Sequence, residues 1–139
     1  MIFKELKYLY KGTSDYQKDR EFYLKVLGAA LIWEFVRFGT KVVAFQLGTS
    51  NHLTLIADHL APNKQILIYR AENLIEAMEI LKSRGLKFTG STFEIPDGTC
   101  VRFEDESSTQ YGLYEKAKPD LFLTEEYHRQ QAEKTVTKI

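Results

Sequence analysis

Residues 65–85, QILIYRAENLIEAMEILKSRG, decide the fold. The run QILIYR is dense in isoleucine and aromatic side chains, as a strand inside a sheet requires. Asn73 stands three residues before Glu76, where its side chain can accept from the backbone at a helix start, and Leu74, Ala77, Met78 and Leu81 then fall on one helical face. Gly85 ends that helix. The same grammar occurs 57 positions earlier in residues 8–28, YLYKGTSDYQKDREFYLKVLG. There Ser14 and Gln17 have capping-box spacing, Tyr16, Phe22, Tyr23, Val26 and Leu27 supply the apolar face, and Gly28 is the stop.

After each glycine the hydrophobic period shortens to about two. Residues 30–38, 41–48 and 52–58 read as strands in the first half, and residues 86–95, 99–106 and 109–116 in the second. Turn signals Pro96-Asp97-Gly98 and Glu106-Ser107-Ser108 separate the latter, and Pro62 with Asn63 breaks the chain between halves. Each half is therefore βαβββ. One such unit has a helix on one sheet face and nothing on the other, so the expected fold is α+β, two βαβββ modules forming a curved mixed sheet around a shared cavity. Residues 1–118 are expected to make a single domain, with modules at 4–58 and 63–116. Residues 119–139 read as a polar helical tail that docks on the domain or frays.

Composition narrows the function classes. Of 139 residues, 44% are apolar, 13% aromatic and 27% charged, which is ordinary for a globular domain and excludes wholesale disorder. Nineteen basic residues balance nineteen acidic ones, so nothing pulls the chain globally toward nucleic acid or anionic lipid. The opening MIFKELKYLYKG lacks a signal-peptide core and the apolar run 29–33 is too short to span a bilayer, so the expectation is a cytoplasmic protein that binds neither nucleic acid nor membrane. Cys100 is the single cysteine, which excludes an intrachain disulfide.

The doubled βαβββ pattern, the phrase REFYLKVLGA at 20–29 and the ending VRFEDESSTQYGLYE at 101–115 resemble the vicinal oxygen chelate superfamily of glyoxalases, extradiol dioxygenases and bleomycin- and fosfomycin-resistance proteins. The resemblance covers about residues 4–116. In place of the family's Asp-Pro-Asp-Gly-Asn turn the chain carries Asp105-Glu106-Ser107-Ser108-Thr109. The resemblance implies a divalent metal held by His or Glu on the first and last strands of each half. Those positions fall here at Tyr8 (Lys7 in a shifted register), Thr54, Gln65 or Ile66, and Gly112. Transition metals need carboxylate, thiolate or imidazole donors at about 2.0–2.3 Å, which this set does not supply. His52, His59 and His128 fall at a strand start, in the linker and in the tail, and the first two are separated by about 23 Å of extended chain. No metal, no cofactor and no catalytic residue are expected.

Strand alternation then selects the cavity lining. Gln110, Gly112 and Tyr114 share one face of the last strand, with Tyr111 and Leu113 under the helix. Cys100, Arg102 and Glu104 share the cavity face of the neighbouring strand, joined by Tyr8, Tyr10, Gln65, Leu67, Tyr69, Trp33 and Phe35. The ligand-binding candidates are Tyr8, Tyr10, Trp33, Thr54, Gln65, Tyr69, Arg102, Glu104 and Tyr114. An aromatic wall with few fixed polar groups suits a small molecule, and a guanidinium within it can grip a carboxylate with two hydrogen bonds. The expected function is a metal-free small-molecule-binding protein with an aromatic or anionic ligand, expected as a homodimer. Two alternatives stand beside it. One is a lyase, isomerase or dioxygenase of the superfamily, using an unrecognised metal site or tyrosine and Glu104 as acid and base. The other is a protein-interaction module using its sheet edges or residues 121–139, which a filled cavity would favour.

Overall fold

LKYLYKG forms β1 (Leu6–Gly12), followed by α1 (Tyr16–Glu21), β2 (Ala30–Arg37), β3 (Thr40–Gln46) and β4 (Leu53–Ala57). The order repeats as β5 (Gln65–Arg70), α2 (Leu74–Ser83), β6 (Thr89–Ile95), β7 (Gly98–Glu104) and β8 (Gln110–Lys116), and a last helix, α3, runs Phe122–Thr137. The computed structural model describes residues 1–37, 39–95, 97–119 and 121–137. Pro96 of the expected turn, and Asp120, Lys138 and Ile139 of the expected tail, lie outside the described residues.

The strands make one eight-stranded sheet in the order β2-β3-β4-β1-β5-β8-β7-β6. Its centre is the antiparallel pair β1 and β5, and each of these runs parallel to the last strand of its own half, β4 or β8. Read inward from the edges, the two halves have the same connectivity, as the 57-residue offset requires. The two terminating glycines match as well. Gly28 and Gly85 hold φ of 68° and 96°, a left-handed conformation that glycine adopts without a Cβ clash.

The helix starts differ from expectation in one detail. Asn73 caps α2, accepting from the Glu76 N–H at 3.0 Å. The α1 cap is Asp15 rather than Ser14, accepting from the Lys18 N–H at 3.1 Å, because the Thr13 hydroxyl accepts from the Asp15 N–H and shifts the start by one residue. A π-helical turn, Phe22–Val26, extends α1. Its wider winding leaves Tyr23 buried and turns Phe22, Val26 and Leu27 to solvent, so the apolar face expected there is narrower than the spacing implied.

α1 and α2 cover the outer face. Tyr23 stacks on Phe45 at 5.2 Å over Val43 and Ile56, while Leu74 and Ala77 pack with Val101, Phe103 and Leu113. The inner face carries the third core, Tyr8, Trp33, Ala44, Leu55, Ile66, Ile68, Cys100 and Tyr114, closed by Leu123 of α3. Phe122 and Tyr127 pack beside it, with the Tyr127 ring edge-on to Phe35. The tail helix therefore docks, and it docks on the cavity side.

Candidate functional site

Cross-strand pairing fixes which side chains share the inner face. Tyr8 pairs with Leu53 on one side and Ile68 on the other, Ile68 pairs with Gly112, and Gly112 pairs with Arg102. A parallel row runs Leu55, Tyr10, Ile66, Gln110, Glu104. Paired residues project on the same side of a sheet. Tyr8, Tyr10, Trp33, Arg102, Glu104 and Tyr114 accordingly stand on the inner face, together with Cys100 and Gln110.

Thr54, Gln65 and Tyr69 do not. Thr54 pairs with Leu9 and with Phe45 of the outer core, Gln65 pairs with Lys11, and Tyr69 packs on Phe3 on the outer side. Leu67, paired with Leu9 and Tyr111, faces outward too. This reverses the expected facing of β4 and β5. Both are central strands with apolar side chains on both faces, so alternation alone carries no sign.

Of the positions where the resemblance implies a metal, Tyr8, Ile66 and Gly112 stand on the inner face, whereas Thr54 and Gln65 stand on the outer one. Around these three the inner face is packed with apolar side chains. A Cβ built on Gly112 would lie 3.1 Å from Ile68 Cγ1 and 3.2 Å from Cys100 Sγ, so the space over the last position belongs to those two side chains. The Tyr8 hydroxyl is committed elsewhere, donating to Asp97 Oδ2 at 3.0 Å, and Tyr114 donates to the same oxygen at 2.8 Å. Among the described residues no group of three His, Cys, Asp or Glu is placed to hold an ion. These residues do not fit a divalent metal.

Asp97 is buried, and its two phenol donors explain why a carboxylate is tolerated there. Burial, followed by the charge of Asp97, pushes the Tyr8 phenol well above its ordinary value. Tyr10, half-buried beside His59 with 2.8 Å between its hydroxyl and Nε2, is pushed up to about 12, chiefly by burial and then by Asp58. Burial likewise pushes the Cys100 thiol up to about 12, with the Arg102 charge opposing. A thiol at that value is a packing group and no nucleophile.

The polar end of the face is built by β7 and β8. Arg102 donates from Nη2 to Gln110 Oε1 at 3.1 Å, and the Gln110 amide donates in turn to Glu104. Arg102 is half-buried, and its Nε is buried without a hydrogen-bond partner among the described residues. Among the described residues no carboxylate pairs with this guanidinium. Such a group is costly to leave unmatched and marks a place for an acceptor. A separate shallow groove of about 570 Å³ lies on the outer side between residues 1–4 and α2.

Asp97 is the part that sequence reasoning missed, since it reads there only as a turn residue; Gln110 and the tail helix were expected, without Gln110's hydrogen bonds or the face on which α3 docks. A signal for Asp97 existed, since Tyr8 and Tyr114 were both read as facing one cavity and buried phenols need acceptors. Across the described residues no helix is long and apolar enough to cross a membrane.

The fold is shared with solved structures. A methylmalonyl-CoA epimerase from Mycobacterium tuberculosis is similar over 87% of this chain and 93% of its own, with TM-score 0.72 and 16% identity. A hypothetical protein from Bacillus halodurans matches over 83% and 96%, with TM-score 0.70 and 11% identity. A Streptomyces coelicolor methylmalonyl-CoA epimerase in complex with 2-nitronate-propionyl-CoA matches over 84% and 99%, with TM-score 0.68 and 9% identity. At such identities the likeness is one of fold. No curated protein sequence matches the chain significantly. The family model described as Glyoxalase/Bleomycin resistance protein/Dioxygenase superfamily matches residues 6–109, three quarters of the chain, and the doubled βαβββ sheet is the architecture expected of it, so the chain belongs to that superfamily.

Proposed function

We propose that the chain is a metal-free small-molecule-binding protein whose ligand is anionic and docks on the inner face against Arg102. One observation carries this reading: a half-buried guanidinium with a buried Nε that no group among the described residues satisfies. Leaving such a donor unmatched costs about 1–3 kcal/mol, a cost that an acceptor on the ligand removes. Of the expected aromatic wall, Tyr10 keeps some exposure, while Tyr8 and Tyr114 are buried in the inner core with their hydroxyls on Asp97. One of the solved structures of similar fold holds methylmalonyl-CoA, an anionic acyl thioester, so an anion is compatible with this architecture.

Binding is favoured over catalysis by the state of the candidate acids and bases. The Tyr8 proton is held by burial and by Asp97, and Glu104 is exposed and accepts from Gln110. With its proton held in this way, Tyr8 is no acid near neutral pH. The superfamily's metal chemistry would require donors that Tyr8, Thr54, Gln65 or Ile66, and Gly112 do not offer. A homodimer is part of the proposal, since β2 and β6 are open sheet edges and β6 is exposed along most of its length. Light scattering should then report about twice the 16.1 kDa chain mass.

A second reading, a protein-interaction module, is favoured by the covering of the inner core by α3. Thermal melting against a panel of small organic acids separates the two. The binding reading expects concentration-dependent stabilisation of the wild type and none of Arg102→Ala. Equal behaviour of the two proteins across the panel would remove it in favour of the interaction module.

A further inference from the structure

Building on the anion-binding reading, we infer that the group bound at Arg102 is a planar monocarboxylate, and that Gln110 holds half of its place in the unliganded protein. The argument is an internal comparison. A guanidinium presents Nε–H and one Nη2–H side by side, spaced for the two oxygens of a carboxylate. Arg20 uses this edge on Glu34, at 2.7 and 3.0 Å, and Arg70 uses it on Glu5, at 2.7 and 3.2 Å. Arg129 places the same two nitrogens on both oxygens of Glu126. Arg102 offers the identical edge to a single amide oxygen, so Nη2 is satisfied and Nε is not.

Three features of the surroundings select the ligand group. Gly112, directly across from Arg102, has no side chain that could reach Nε. Gln110 is held by a second hydrogen bond to Glu104, which keeps its amide from turning both acceptor lone pairs onto the guanidinium. Glu104 also sets a negative charge beside the position, which disfavours a dianion. Cys100 and Ile68 line the floor, so the third oxygen of a phosphonate or sulfonate would be desolvated without a donor. A flat, singly charged carboxylate avoids both costs.

The test is titration of the intact chain with benzoate and, separately, phenylphosphonate, followed at the Arg102 Nε–H resonance. Benzoate should shift that resonance saturably, at least about tenfold more tightly than phenylphosphonate. Gln110→Ala, which removes the stand-in acceptor, should tighten benzoate by about threefold or more, while Gln110→Glu, which supplies the carboxylate from the protein, should abolish benzoate binding. Tighter binding of the phosphonate, or benzoate affinity indifferent to both Gln110 variants, overturns the carboxylate assignment and leaves the anion-binding reading standing. If neither anion moves the Arg102 resonance, both fall. Should either variant fail to fold, the wild-type comparison of the two anions decides alone.

Discussion

Arg102 stands directly across the β7–β8 pair from Gly112, so a half-buried guanidinium faces a position with no side chain. In the superfamily's pattern that position is where an acidic metal ligand is expected. Gly112 offers neither a donor for a metal nor a counter-charge for the arginine.

Gly112 should resist being refilled. Ile68 is β-branched and Cys100 is fully buried, so neither can yield to a new Cβ at 3.1 and 3.2 Å. Gly112→Ala is expected to cost about 1–3 kcal/mol by overpacking, measured by denaturant unfolding. A neutral or stabilising result would show that the inner face has room over this residue.

The tyrosines set an alkaline limit. Free tyrosine titrates at 10.0, whereas burial raises Tyr8, Tyr10 and Tyr16 in the folded chain. A raised folded value means the folded state keeps its proton, so this stability is complete below pH 10 and is lost as pH rises above it. For Tyr10 the loss ends near 12, and Tyr8 continues beyond it. Tyr8 alone should contribute a slope of about 1.4 kcal/mol per pH unit. Denaturant melts above pH 10 should show Tyr8→Phe with a shallower alkaline decline than wild type; parallel declines would mean that Tyr8 ionises freely in the folded chain.

Much of this arrangement was legible before the structure, and the reason lies in particular strands. β7 reads Cys100, Arg102, Glu104 on one face and Val101, Phe103 on the other, a polar and apolar contrast that identifies the cavity side. α2 has a cap, a stripe and a stopping glycine that agree with one another. β4 and β5 lack any such contrast, and that is why Thr54, Gln65 and Tyr69 were assigned to the wrong face. The two phenols signalled a need for an acceptor without naming Asp97, because it lies 89 and 17 residues from them and pairing over such distances is set by the finished sheet. The docking position of α3 follows from Phe122, Leu123 and Tyr127 among otherwise polar residues, too sparse a stripe to specify a partner face.

Cys100 should be inert to thiol reagents in the folded protein. Its thiol is buried and pushed up to about 12, so almost no thiolate forms near neutral pH. Labelling by a disulfide reagent should track global unfolding, accelerating with denaturant in proportion to the unfolded population. Rapid labelling without denaturant would show that the inner face opens locally.

α3 should report through the single tryptophan. Leu123 is buried in the core that contains Trp33, and α3 packs on β2. Leu123→Ala is expected to cost about 2–4 kcal/mol and to shift Trp33 emission toward the red as water reaches the inner face. An unchanged emission maximum together with unchanged stability would mean that α3 is not part of this core.

The central claim is the proposal that the inner face recognises an anion through Arg102 and holds no metal. The direct measurement is a melting series of one preparation in zinc, nickel, manganese and benzoate. A site-bound species at a hundredfold excess over its dissociation constant stabilises by about 2.7 kcal/mol, several degrees for a chain of this size. The account predicts a rise with benzoate that Arg102→Ala abolishes, and no rise with the three ions. A rise with any of the ions, reversed by chelation and indifferent to Arg102→Ala, would contradict it.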